Sequence, residues 1–88
     1  MKMIIVILED HFSDATSSAL VKAKFGVTRL ASTGGFLREG STTLMVGIED
    51  EQLDTALKLI REQIPLSDDQ NKINATFYVL NVKDFRRV

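Results

Sequence analysis

The 88 residues carry eleven basic and twelve acidic side chains, and a formal charge of -1 excludes a protein that works by neutralising nucleic-acid phosphates. No cysteine is present, so there is neither a disulfide framework nor a thiolate site. A chain this short buries only about two-thirds of its unfolded surface, which leaves self-association as the readiest further source of stability.

The apolar run Met3 to Leu8 is too short to cross a bilayer and lacks the basic start and small-residue cleavage site of a signal peptide. The expectation is a cytoplasmic protein with no membrane insertion, folded as one domain over residues 1–88. Met3 to Leu8 reads instead as a strand apolar on both faces. Phe12, Ala15, Ala19, Leu20 and Ala23 then recur at helical spacings, predicting a helix from about Ser13 to Phe25. Gly26 is placed to cap it, because a helix C-terminus often ends on a residue with positive φ.

Val27 to Thr33 and Ser41 to Ile48, rich in Thr, Val and Ile, predict the second and third strands. Asp50 is the expected N-cap of a second helix, whose apolar stripe is Leu53, Ala56, Leu57, Ile60 and Ile64. Pro65 closes it, since the residue before a proline resists the helical conformation. Leu66 to Asn74 is a short polar loop, and Ala75 to Val82 the fourth strand.

The order β-α-β-β-α-β predicts an α+β, ferredoxin-like fold. Right-handed crossovers put both helices on one face of a four-stranded antiparallel sheet. Nothing in the chain is left to cover the other face. Met3 to Leu8 and Phe77 to Leu80 are nevertheless apolar at odd and even positions alike. Leaving such a face in water forgoes roughly 1.5–3 kcal/mol for each Val, Leu or Ile side chain. An obligate oligomer follows.

The connection between the second and third strands, Leu30-Ala31-Ser32-Thr33-Gly34-Gly35-Phe36-Leu37-Arg38-Glu39-Gly40-Ser41-Thr42-Thr43, is longer than a plain hairpin requires and sets an apolar Phe36-Leu37 pair between glycines. A loop that presents apolar side chains packs them on its own core, a neighbouring subunit or a ligand. This string closely resembles the signature of the small PII-like cyclic-di-AMP receptors. The similarity also takes in Met1-Lys2-Met3-Ile4-Ile5, Phe25, Thr28, Gly47-Ile48-Glu49-Asp50-Glu51 and Ala75-Thr76-Phe77-Tyr78-Val79-Leu80, and Val82-Lys83-Asp84-Phe85 is similar to the family's C-terminal turn.

That resemblance implies a homotrimer with nucleotide clefts between subunits, and a non-enzymatic signal-transduction role. The implied ligand is cyclic-di-AMP or another adenine nucleotide, with no cofactor otherwise. The implied ligand-binding residues are Gly26, Val27, Thr28, Gly35, Phe36, Leu37, Ser41 and Gly47. Three positions depart from the family pattern. Gly26 stands where the family has Arg, Ser41 stands where it has Asn, and residues 66–74 replace a long Gly- and Pro-rich excursion that brings an aromatic residue to the ligand. A missing charged hydrogen bond weakens binding by about one to two decades. Arg29 is a poor substitute, because neighbouring strand residues point to opposite faces.

Beside these readings stand plainer ones. The Gly34-Gly35-Phe36 turn could serve only to dock trimer neighbours. His11 stands alone, with no cysteine and no second histidine to form a metal site. Glu49-Asp50-Glu51 and Glu9-Asp10-Asp14 suit the positive ends of the two helices. No serine has a histidine positioned to activate it, so no enzymatic activity is expected. Two readings remain: a nucleotide sensor that alters which regulated protein can dock, and a diverged trimeric module that binds its partner without cyclic-di-AMP.

Overall fold

The computed structural model describes residues 1–33, 40–65 and 73–88. Its elements are β1 (Lys2–Glu9), α1 (Asp10–Lys22), β2 (Gly26–Thr33), β3 (Ser41–Ile48), a 3-10 turn (Asp50–Gln52) leading into α2 (Leu53–Gln63), and β4 (Ala75–Asn81). One sheet holds the strands in the order β2-β3-β1-β4, with every neighbouring pair antiparallel. This is the ferredoxin-like arrangement that the element order predicts.

Strand parity decides what each face does. Ile4, Val6 and Leu8 of β1 and Leu44, Val46 and Ile48 of β3 are buried together with Leu20 of α1 and Ala56 and Ile60 of α2. Met3, Ile5 and Ile7 alternate to the opposite face, where Ile5 is flanked by Met45 and Tyr78 across the ladders. Within the single chain Ile7, Tyr78 and Leu80 are exposed. Val79 is exposed too, although its parity is that of Phe77 on the helix side. The helices therefore do not fully cover the end of β4, and the expectation of an uncovered apolar face is met.

The stripe Leu53, Ala56, Leu57, Ile60 and Ile64 packs on the core as expected. The backbone turns extended at Ile64 (φ -125, ψ 114), ahead of Pro65. The start differs from expectation. Asp50 opens the 3-10 turn rather than capping α2, and Gln52 Oε1 accepts the Glu49 backbone N–H at 3.1 Å.

The first helix departs further. It runs from Asp10 to Lys22, not Ser13 to Phe25, and its buried residues are Ser13, Thr16 and Leu20, with Ala15 and Ala23 exposed. Ser13 is tolerated there because its hydroxyl donates to the Asp10 carbonyl at 2.8 Å. The C-terminus is a Schellman motif. Phe25 N–H bonds the Leu20 carbonyl at 3.0 Å and Lys24 N–H the Val21 carbonyl at 2.9 Å. Leu20 and Phe25, both buried, occupy the positions that make the motif's apolar contact.

The left-handed residue is thus Lys24, with φ 68, and not Gly26, which opens β2. A side chain in this conformation is strained by roughly 1–2 kcal/mol, whereas glycine gives back part of the gain as lost unfolded-state freedom. Lys24→Gly is expected to stabilise the fold by about 0.5–1 kcal/mol. A urea midpoint measured at fixed protein concentration, unchanged or lowered, would contradict this.

Candidate functional site

Ladder register brings distant residues to one end of the sheet. Gly26 pairs with Gly47, and Thr28 with Met45, while Met3 pairs with Gly47 from the other side. All share the parity of the face the helices leave open. Together with Val27 and Met1 they line a recess of about 510 Å³. Val82, Phe85 and Arg87, from the chain that follows β4, complete its wall. That segment is fixed where it begins, by a bond from Val82 N–H to the Met1 carbonyl at 3.0 Å.

The two glycines matter for what this recess can hold. A Cβ at Gly26 or at Gly47 would meet nothing within 4 Å. Both backbones are therefore open to close approach by another group. Around them lie methionines and valines, the exposed Thr28 and Arg87. A mainly apolar concavity with few polar groups, in the usual volume range of ligand pockets, suits a flat ring bearing an anionic substituent. A second depression of about 480 Å³ runs along α2 between Asp54, Lys58, Arg61 and Glu62. It is more open and contains none of the implied ligand-binding residues.

Gly26, Val27, Thr28 and Gly47 thus come together. Ser41 does not join them. It pairs with Thr33 and with Glu9 at the opposite end of β3, six residues from Gly47 and hence roughly 20 Å away. Gly35, Phe36 and Leu37 lie outside the described residues, between the strand ends Thr33 and Ser41. The predicted polar loop falls mostly outside them as well. Its base, however, is drawn closed by a hydrogen bond from Asn74 Nδ2 to the Pro65 carbonyl at 2.7 Å. Asn74 reaches the same end of the sheet as Ser41, since its carbonyl accepts the Glu9 N–H at 3.3 Å.

Arg29 behaves as the strand alternation predicts. It lies on the helix side, where Nη2 donates to Asp14 Oδ1 at 3.0 Å, and it does not line the recess. His11 lies tilted against Phe12, with ring centroids 3.9 Å apart and 52° between the planes, and its Nε2 is 3.5 Å from Glu9 Oε2. Among the described residues no group of three His, Cys, Asp or Glu could hold a metal ion, and no helix is long and apolar enough to cross a membrane.

With this geometry established, comparison with known proteins supplies the family. The sequence model of a family described as cyclic-di-AMP receptor matches residues 1–73. The chain belongs to the cyclic-di-AMP receptor family. A similar fold is found in the crystal structure of a functionally unknown protein from Pediococcus pentosaceus ATCC 25745, at a TM-score of 0.75 and 31% sequence identity, covering 99% of this chain and 96% of that one. The receptor-family match takes in the five recess residues of β2 and β3, and also Ser41, but stops short of β4 and the tail.

The tail residues Val82, Phe85 and Arg87, and the methionines Met1, Met3 and Met45, are parts of the recess that the sequence reading did not find. The methionines were accessible in principle, because residues 45 and 3 share strand parity with Gly47. The tail has no periodicity from which its course could be read.

Proposed function

We propose that this chain is a non-enzymatic sensor whose ligand is cyclic-di-AMP or another adenine nucleotide, held in clefts between the subunits of a homotrimer. The observation that carries this reading is the convergence of Gly26, Val27, Thr28 and Gly47 in one recess, in a chain of the cyclic-di-AMP receptor family. The base would lie on the methionine floor, and the Thr28 hydroxyl and the exposed backbone near the glycines would supply hydrogen bonds. The roughly 20 Å between Gly47 and Ser41 supports a cleft that is shared. One small ligand does not span both ends of a strand, whereas a neighbouring copy can bring its Ser41 end to this recess. The open face bearing Ile5, Tyr78 and Leu80 gives such copies a reason to assemble.

A ligand that alters the paired loops at the Ser41 end would change the surface offered to a regulated protein. By linkage, a partner preferring the liganded shape tightens ligand binding in return. Calorimetric titration of the full chain with cyclic-di-AMP, AMP and ATP tests the reading. Saturable heat at concentrations below roughly millimolar is the expected result. Absence of heat with all three would remove the sensor and leave a trimeric partner-binding module.

A further inference from the structure

We propose that Arg87 is the phosphate-binding cation of the recess, a role resting on the reading that this recess takes a nucleotide. Among the described residues that line it, Arg87 carries the only charged side chain. Two other arginines are already engaged. Arg86 Nε pairs with Asp84 at 3.0 Å, and Arg29 pairs with Asp14 at 3.0 Å on the other side of the sheet. Among the described residues no carboxylate pairs with Arg87.

What holds Arg87 is an aromatic ring. Its Cζ lies 5.5 Å from the centroid of Phe85, whose side chain is otherwise largely exposed. A guanidinium over an aromatic face keeps its charge and the N–H groups at its edge, so this contact does not use up the donors of the fork. The same fork matches two phosphate oxygens. Gly26 lines the same recess. With nothing within 4 Å of where its Cβ would stand, it leaves room for a ligand group beside β2. A guanidinium grown from position 26 would enter that same space.

The test is calorimetric titration of the full chain with cyclic-di-AMP, AMP, adenosine and inorganic phosphate. The proteins compared are the wild type, Arg87→Ala, Arg87→Lys, Arg86→Ala and the pair Gly26→Arg with Arg87→Ala. Arg87→Ala is expected to weaken cyclic-di-AMP and AMP about 10–100-fold and to leave adenosine unchanged. Arg87→Lys should fall between, Arg86→Ala should match the wild type, and Gly26→Arg should restore the phosphate-bearing ligands. Circular dichroism and molar mass establish that each variant is folded, and the lysine variant answers the question if the alanine one is not. Inorganic phosphate bound as tightly as AMP by the wild type, and weakened by Arg87→Ala, would keep Arg87 as the cation and reassign the natural occupant from a nucleotide to free phosphate. Three results overturn the proposal. Nucleotide bound equally by wild type and Arg87→Ala removes Arg87 alone. Equal losses for adenosine and AMP assign the side chain to the base instead. A wild type that binds none of the four removes the nucleotide reading together with it.

Discussion

Ile5→Glu is expected to reduce the species seen by light scattering from three times 9.8 kDa to a single chain, or to leave no folded species at all. Ile5 sits on the central strand β1, on the face away from the helices, between Met45 of β3 and Tyr78 of β4. Trimer formation around that face would put the residue in contact with its counterparts. An unpaired carboxylate held in such a contact carries a penalty of several kcal/mol, repeated in every copy. The single chain, in contrast, leaves Ile5 only half-buried, so the glutamate has little reason to disturb the helix side. Loss of fold together with loss of mass would mean that assembly and folding are one event, as in many obligate oligomers. Lys58→Glu, on the exposed side of α2, is the control and should leave the mass unchanged. A wild type already monomeric at micromolar concentration, or an Ile5→Glu protein that keeps the full mass, would contradict the assembly and the shared clefts with it.

The parity that makes Ile5 the target was readable from the amino-acid sequence, because Met3 to Leu8 is apolar throughout while only alternate residues can face two helices. The α2 stripe was equally plain, since a half-exposed helix must concentrate its apolar residues on one side. The α1 boundaries were not. Its inner face uses Ser13 and Thr16, whose polarity hides them from a search for apolar periodicity, and exposed Ala15 and Ala23 mimic a stripe they do not belong to. Its cap was missed for a related reason. The left-handed position is filled by Lys24, and glycine two residues later drew the prediction to the wrong place.

The candidate site divides along the same line. Gly26, Val27, Thr28 and Gly47 were legible only through the family resemblance, and the strand register seen in the fold accounts for their convergence. Phe85 and Arg87 arrive by a course that follows no repeat, so only the fold reveals them. Ser41 shows a limit of another kind. Its distance from the recess is legible within one chain, but its meaning depends on how copies are arranged.

That dependence gives the second large expected effect. Gly26→Arg together with Ser41→Asn should raise the affinity for cyclic-di-AMP by one to two decades or more over the wild type. A charged hydrogen bond supplies about 1.5–3 kcal/mol, and each 1.4 kcal/mol is tenfold. The asparagine amide adds a paired donor and acceptor where serine has one hydroxyl. The fold should accept the arginine, since a Cβ at position 26 meets nothing within 4 Å and its backbone is not left-handed. Calorimetry on the two single variants and the double variant separates the contributions. Mixed oligomers, assembled from chains carrying one substitution each, then locate them. With the two positions roughly 20 Å apart on one chain, only a cleft between neighbours unites both on one ligand. Mixed assemblies should therefore contain some clefts with the full gain, alongside clefts with one substitution or none. A double variant no tighter than the wild type would mean that the recess has lost more than these two contacts, and would favour the partner-binding module over the sensor.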